Sequence, residues 1–215
     1  MLFLLKEGWL LLGAALGLLL GTVLHGVAQT TVAGALGDGM PRAARRGDPD
    51  PRRHVDPFGV VVMLIANPPV GWGKPVPLQE PRFRAKGRYL AILASGPLTH
   101  LVTGIVLLAA FGAAAVASPA AQVLGEAALV SFCLSVLQCI PLPPLDGARA
   151  LWALAPRTEG WRRARYHLEE QNWGLGILIV LLLPLFSNNQ GLLLRVILAV
   201  VEPLIDLVAP LVGAG

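Results

Sequence analysis

The chain has 215 residues, of which 55% are hydrophobic and only 14% are charged, and its formal net charge is +4. So few charges, with a mean hydropathy of +0.66, exclude an ordinary soluble domain and indicate an integral membrane protein. Because the basic residues lie between apolar runs, the positive charge favours contact with anionic lipid headgroups over binding to nucleic acid. We therefore expect a single membrane domain over residues 1–215, with an all-α polytopic fold and the lipid bilayer as a partner.

The first apolar segment covers residues 2–37 and carries two early charges, Lys6 and Glu7. Its core from Trp9 to Val32 is about 24 residues long, which is enough to cross a bilayer with some tilt. A cleaved signal peptide is the alternative, but this core exceeds the roughly 7–15 apolar residues of a secretory signal. We predict a transmembrane helix here.

Two segments without a full span follow. Residues 38–56 are rich in Arg, Asp, Gly and Pro, which indicates a structured loop or a small strand region outside the membrane. Residues 57–73 contain an apolar run, Val60 to Ala66, that is far too short to cross a bilayer and is ended by Asn-Pro-Pro. A re-entrant or interfacial segment fits residues 57–73 better than a transmembrane helix.

The rest of the chain alternates polar segments with longer apolar runs. These runs predict four further spans, at residues 89–117, 121–140, 173–186 and 191–212. Together with the first segment, they predict about five transmembrane helices plus one re-entrant segment.

The basic residues predict the orientation of the chain. Of the 17 Lys and Arg residues, fifteen lie in the segments 38–56, 74–88 and 149–170, with five in each. Under the positive-inside rule all three segments are cytoplasmic, which requires that residues 57–73 enter and leave the membrane on the same side. We therefore expect a multi-pass protein of a bacterial cell membrane with its N-terminus outside.

Asp146 is the most informative single acid in the chain. It follows an apolar run and a Pro-rich break, and a carboxylate at the edge of a membrane span is costly unless it pairs with a cation or binds a metal. The predicted topology places His25, near the inner end of the first span, on the same side of the bilayer. We therefore expect His25 and Asp146 to approach each other.

Several motifs occur in a fixed order over most of residues 18–150. They are a His motif at His25, Arg53-His54-Val55-Asp56-Pro57-Phe58-Gly59, Gly71-Trp72-Gly73-Lys74-Pro75-Val76-Pro77, Gly96-Pro97-Leu98 and Pro141-Leu142-Pro143-Pro144-Leu145-Asp146-Gly147. This order resembles the site-2 protease family of intramembrane zinc metalloproteases. The resemblance implies a membrane-embedded metalloprotease fold with zinc as its cofactor, and it leaves the helices over residues 173–212 as a C-terminal addition.

The resemblance also implies a site, and this chain departs from it. In the family, an H-E-x-x-H helix holds zinc with two His residues, its Glu is the general base, and the Asp of the L-D-G motif is the third ligand. Here His25 and Asp146 are kept, but Gly26 stands at the Glu position and Gln29 at the second His position. Two strong ligands and a weak amide oxygen fall short of a catalytic zinc site, and loss of the base alone costs about 10²–10⁴ in rate.

Other residues around the implied site also depart from the family or remain open. Gln138 and His100 stand where the family usually has Asn. His100 could supply a replacement zinc ligand if its helix packs against the first, or it could be a hydrogen-bonded interior histidine. Gln138, Pro143, His54 and Asp56 are candidates for binding a substrate or partner, although His54 could instead order the polar loop.

Three functions remain open at this point. The first is a catalytically impaired homologue, a pseudoprotease, that binds membrane partners without cleaving them. The second is an active intramembrane zinc metalloprotease with a rearranged site. The third is a transporter or channel subunit, for which the sequence offers no paired discontinuous half-helices. We favour the first.

Overall fold

A computed structural model describes residues 8–79, 86–115, 118–185 and 190–214. Within these residues the chain forms ten α-helices: α1 (Gly8–Ala35), α2 (Met40–Ala43), α3 (Pro51–His54), α4 (Pro57–Ile65), α5 (Lys86–Gly112), α6 (Pro119–Gln138), α7 (Asp146–Leu154), α8 (Glu159–Arg165), α9 (Trp173–Leu182) and α10 (Leu192–Val208). A π-helical turn, Tyr166–Glu170, joins α8 to the segment before α9. Parts of the predicted segments, at residues 2–7, 80–85, 116–117 and 186–189, lie outside the described residues.

The predicted all-α membrane fold is confirmed. Helices α1, α5 and α6 have 28, 27 and 20 residues and are apolar enough to cross a membrane. The two predicted C-terminal spans are shorter, because α9 has ten residues and α10 has 17. At 1.5 Å per residue, α9 covers about half of a hydrocarbon core of roughly 30 Å.

A row of residues four apart on α1 brings this helix against α5 and α6. The row consists of Gly13, Gly17, Gly21, His25 and Gln29. A Cβ atom on Gly13 would lie 2.6 Å from the backbone oxygen of Val123, and one on Gly17 would lie 2.8 Å from that of Ala127. Since only glycine lets two helix backbones approach so closely, Gly13 and Gly17 allow α1 to pack directly against α6. The same face carries His25 and Gln29 into the interior further along the helix.

Residues 38–56 contain two short helices, α2 and α3. The small strand region that the sequence analysis offered for this segment is therefore wrong. Pro41 and Pro51 each stand in the first turn of a four-residue helix, where a missing backbone N–H costs nothing. Among the described residues, β-structure is limited to one antiparallel bridge between Val55 and Gly73. Helix α4 has only nine residues, so the segment 57–73 does not cross the membrane as a helix, as the sequence predicts.

The break after α6 turns the chain back towards the bundle. Helix α6 ends at Gln138, and α7 begins at Asp146. A Cβ atom on Gly147 would overlap the backbone oxygens of Cys139 and Ile140, so the glycine of the L-D-G motif is required for this close approach. The turn places Asp146 in the first turn of α7, where the helix dipole favours a negative charge.

Candidate functional site

Polar side chains from three helices meet in a buried cluster. His25 and Gln29 come from α1, His100 from α5 and Asp146 from α7, and all four are buried. His25 and Asp146, which the sequence analysis expects to approach each other, have Nε2 and Oδ2 3.2 Å apart. We call His25, Gln29, His100 and Asp146 the polar cluster.

Each ring nitrogen of His25 faces a different neighbour. Nε2 lies 3.2 Å from Asp146 Oδ2, which is close enough for an ion pair when the imidazole is protonated. Nδ1 is hydrogen-bonded to His100 Nε2 at 3.2 Å, and the tautomers of the two rings decide which nitrogen donates. His100 Nδ1 is buried with no hydrogen-bond partner within the described part of the chain.

Gln29 also binds the acid, through its amide nitrogen. Gln29 Nε2 donates to Asp146 Oδ2 at 2.6 Å and lies 3.4 Å from the backbone oxygen of Leu93. That oxygen is free for Gln29 because Pro97, four residues further along α5, has no N–H to donate to it. Gln29 therefore turns its donor towards Asp146, and its side-chain oxygen is buried without a partner among the residues described.

Two further contacts of Asp146 involve its backbone N–H and its second carboxylate oxygen. The backbone N–H donates to Gln138 Oε1 at 3.2 Å, and Arg149 Nη1 lies 3.8 Å from Asp146 Oδ1. Arg149 is itself held in place, because Nη1 donates to the backbone oxygen of Val76 at 2.9 Å. The buried carboxylate therefore has one hydrogen-bond donor, Gln29, and a basic side chain near each oxygen.

Gly96 allows α5 to reach the polar cluster. A Cβ atom at this position would lie 2.7 Å from His25 Nδ1 and 2.8 Å from Asp146 Oδ2. A larger residue would separate α5 from the other two helices. The Gly-Pro motif therefore has two physical roles, since Gly96 permits the approach and Pro97 frees the carbonyl that Gln29 meets.

Gly26, at the position that matches the family's catalytic Glu, faces a different histidine. A Cβ atom on Gly26 would overlap the ring of His54. His54 Nε2 lies 2.7 Å from the backbone oxygen of Asp48, which can only accept, so Nε2 carries the proton. His54 Nδ1 is buried with no partner in the described segments, and burial lowers the pKa of His54 below its ordinary value. A neutral imidazole therefore fills the space that a side chain at position 26 would need.

The other predicted site residues lie away from the polar cluster. Asp56 is the N-cap of α4, where its Oδ1 accepts from the backbone N–H groups of Phe58 at 2.9 Å and Gly59 at 3.1 Å. Pro143 lines a groove of about 390 Å³ between the extended residues 75–78 and the chain from α7 to α9. We call this space the proline groove, because Pro75, Pro77, Pro143 and Pro144 line it.

A narrow crevice gives the polar cluster its access to solvent. His25, His100, Gln138 and Asp146 line it together with Lys74, and it has room for about one water molecule, 10 Å³. Pro75 and Pro144 border both the crevice and the proline groove, so the two spaces adjoin. Sequence reasoning missed Arg149, although its position three residues after Asp146 on a helix is a signal for an ion pair.

The polar cluster does not fit a catalytic zinc ion as it is arranged. His100 meets His25 at Nδ1, whereas Asp146 lies beside Nε2, so the two neighbours face different edges of the His25 ring. Gln29 turns a nitrogen donor to the acid, and an N–H group cannot bind a metal. Over the described ranges, no group of three or more His, Cys, Asp or Glu side chains is placed to hold a metal ion.

The fold and this cluster define an all-α membrane protein with a buried His–His–Asp site. Comparison with known proteins adds one relative, a protein of Bacillus subtilis (strain 168) named "Putative zinc metalloprotease YwhC". The two chains are 28% identical over 208 residues, which cover 87% of this chain and 92% of the relative. No protein-family model matches the chain, and no solved structure matches it. The similarity supports a metalloprotease-like family for this chain.

Proposed function

We propose that this protein is a site-2 protease-like membrane protein that has lost its protease site and acts by binding a membrane protein partner. The single observation that carries the proposal is the hydrogen bond from Gln29 Nε2 to Asp146 Oδ2, at the position where the family has a zinc-binding His. Binding a metal through this oxygen requires breaking that hydrogen bond. The relative of Bacillus subtilis supports the metalloprotease-like family. The proposal of a degenerate site rests on Gly26 and Gln29, which stand at the Glu and second His positions.

The missing base supports the same proposal. A zinc-bound water needs a group that takes its proton, and in the family that the chain resembles the group is a Glu at the position of Gly26. His54 occupies the adjoining space, but its ring is fully buried and does not line the crevice at Asp146. His54 is therefore not placed to take a proton directly from water in the crevice.

The proline groove is the surface that we assign to the partner. It has the volume of an ordinary ligand site, it adjoins the polar cluster, and apolar side chains line most of it, among them Val76, Leu145 and Leu168. Four prolines in its walls keep the groove open, because proline fixes the backbone and cannot donate a hydrogen bond across it. An extended, apolar segment of a membrane protein is the partner that fits such a space.

Photo-crosslinking in cells tests both halves of this proposal. A photo-reactive amino acid in place of Leu168, in the groove, should capture a membrane protein that remains intact, and capture should persist when Asp146 is replaced by Ala. The control is Val106, an exposed residue of the membrane helix α5 that should capture lipid rather than the same protein. Fragments of the captured protein that disappear in Asp146→Ala would overturn the loss of protease activity, and equal capture at Val106 would overturn the groove as the binding surface.

An active zinc metalloprotease with a rearranged site is the second candidate, and one observation favours it. His100 Nε2 lies 3.2 Å from the ring of His25, close enough for a rotated His25 to share a metal with it. In that case His25, His100 and Asp146 would provide the three protein ligands of a catalytic zinc site. Loss of cleavage in both His100→Ala and Asp146→Ala would establish this candidate and reject the first.

A further inference from the structure

A second cavity lies away from the polar cluster, on the turn between α7 and α8. Its volume is about 400 Å³, and its lining includes Trp152, Arg157, Thr158, Trp161, Arg162 and Arg165. We call it the Trp–Arg pocket. Neither the proposed function nor the similarity to the metalloprotease of Bacillus subtilis assigns a role to it.

The charges around the Trp–Arg pocket fit an anion. Three arginines line it together with one acid, Glu159, which is bonded to Arg162 and, through Oε1, to Arg163 Nε at 3.0 Å. Arg157 lines the pocket, and the structure records no ion pair for it among the described residues. Arginine binds phosphate through two parallel hydrogen bonds, so a pocket of this composition favours a phosphate group over a neutral or cationic ligand.

The aromatic wall supplies a donor that has nothing to bind. Trp152 and Trp161 pack edge to face, with ring centroids 6.2 Å apart at 73°. The Nε1 atom of Trp152 is buried, and it has no hydrogen-bond partner within the described segments. An indole N–H can only donate, and a buried donor without an acceptor is costly, so an oxygen ligand within reach of this group would stabilise it.

We expect the Trp–Arg pocket at the membrane surface, because apolar helices lie on both sides of it in the chain. The membrane helix α6 precedes the pocket, with α7 between them, and the apolar helix α9 follows the π-helical turn after α8. Tyr166, in that turn, and Trp173, the first residue of α9, are both exposed. Trp and Tyr concentrate at the boundary between hydrocarbon and water, and arginines there meet the phosphates of the lipids.

We propose that the Trp–Arg pocket binds the phosphate group of an anionic phospholipid. Arg157 provides the charge, the N–H of Trp152 donates to a phosphate oxygen, and the position at the membrane surface distinguishes a lipid from free phosphate. The proposal does not depend on whether the polar cluster is a protease site.

Native mass spectrometry of the full chain in detergent tests the proposal, with phosphatidylglycerol and a diacylglycerol of the same acyl chains, which lacks the phosphate, as probes. Phosphatidylglycerol should bind at least about tenfold more tightly, since a hydrogen bond to a charged group contributes roughly 1.5–3 kcal/mol. Arg157→Gln and Trp152→Phe should each remove most of this preference. The control is Arg163→Gln, which removes an exposed arginine that binds the same Glu159 but does not line the pocket.

Three outcomes would overturn the proposal. They are equal binding of the two lipids, an equal loss of preference in Arg163→Gln and Arg157→Gln, and inorganic phosphate that competes as well as phosphatidylglycerol does. If Trp152→Phe fails to fold, Arg157→Gln still decides the matter, because Arg157 is exposed and lies in the loop between α7 and α8.

Discussion

The carboxylate of Asp146 shows how single residues determine the chemistry of this protein. Its Oδ2 accepts from Gln29 and lies 3.2 Å from His25 Nε2, its backbone N–H donates to Gln138, and Arg149 Nη1 lies 3.8 Å from its Oδ1. A histidine at position 29 would bring a lone pair to the same place, whereas glutamine brings an N–H. One substitution thus changes a set of metal ligands into a network of hydrogen bonds.

Gly26 is fixed by His54, and this gives a prediction at the residue scale. Gly26→Ala should lower the free energy of unfolding by about 1–3 kcal/mol, because the added Cβ overlaps the His54 ring in a packed interior. Gly34→Ala is the matched control, since Gly34 lies on the same helix with no atom within 4 Å of its built Cβ, and it should be neutral or slightly stabilising. Denaturant titration in detergent measures both.

His54→Ala distinguishes this explanation from a general sensitivity of α1. In the His54→Ala background, Gly26→Ala should cost much less than it does in the parent chain. An unchanged cost would show that the His54 ring does not fill the space at Gly26. The same result would bear on any attempt to restore a base at position 26, because Gly26→Glu also requires room that His54 now takes.

His54 also predicts a dependence of stability on pH. Burial lowers the pKa of this group in the folded state, so the unfolded chain binds a proton more readily. The resulting stability is present above the ordinary histidine pKa of about 6.5 and is lost as the pH falls below it towards the lowered value. His54→Gln should therefore reduce the loss of stability between about pH 7.5 and pH 5.5. His167→Gln, which removes an exposed histidine, should leave that loss as it is in the parent chain.

At the scale of elements, the sequence predicts the positions of the long helices better than those of the short ones. Long apolar runs predicted α1, α5 and α6, because a membrane span needs about 20 residues and few segments have that length. Contacts within the site were harder to predict. The sequence indicated that His25 and Asp146 meet, but it did not indicate that Gln29 would turn its nitrogen to the acid, since this depends on the carbonyl that Pro97 leaves free.

Asp56 has a role in local structure that the sequence analysis did not predict. It was a candidate for binding a partner, and the structure places it as the N-cap of α4, with two backbone N–H groups bonded to its Oδ1. Short helices need such caps, because their first backbone donors have no partner within the helix.

The N-cap role of Asp56 predicts how substitutions at this position affect stability. Asp56→Ala should lower the free energy of unfolding by about 1 kcal/mol, and Asp56→Asn should restore most of it because Asn caps a helix about as well. Neither variant should change photo-crosslinking from Leu168 in the proline groove. If partner capture falls in Asp56→Asn while the free energy of unfolding is unchanged, Asp56 contributes to partner binding.

At the scale of the whole molecule, the distribution of charge predicts which side each loop faces. The three basic segments are expected on the cytoplasmic side, and the turn at Ser118, between α5 and α6, on the outside. Cysteine labelling with a reagent that does not cross membranes tests this prediction. Arg157→Cys and Ala120→Cys are each introduced alone, in a chain where the exposed Cys139 is replaced by Ser. In intact cells only the cysteine at position 120 should react. Labelling at position 157 would contradict the predicted topology.

The central claim is that the polar cluster holds hydrogen bonds in place of a metal. The zinc content of the purified protein tests this claim most directly. Protein prepared with zinc and without chelators should contain well under about 0.1 zinc per chain, whereas Gln29→His, which supplies a third strong ligand beside His25 and Asp146, should approach about one. About one zinc per parent chain, lost in Asp146→Ala, would contradict the claim and establish a working metal site.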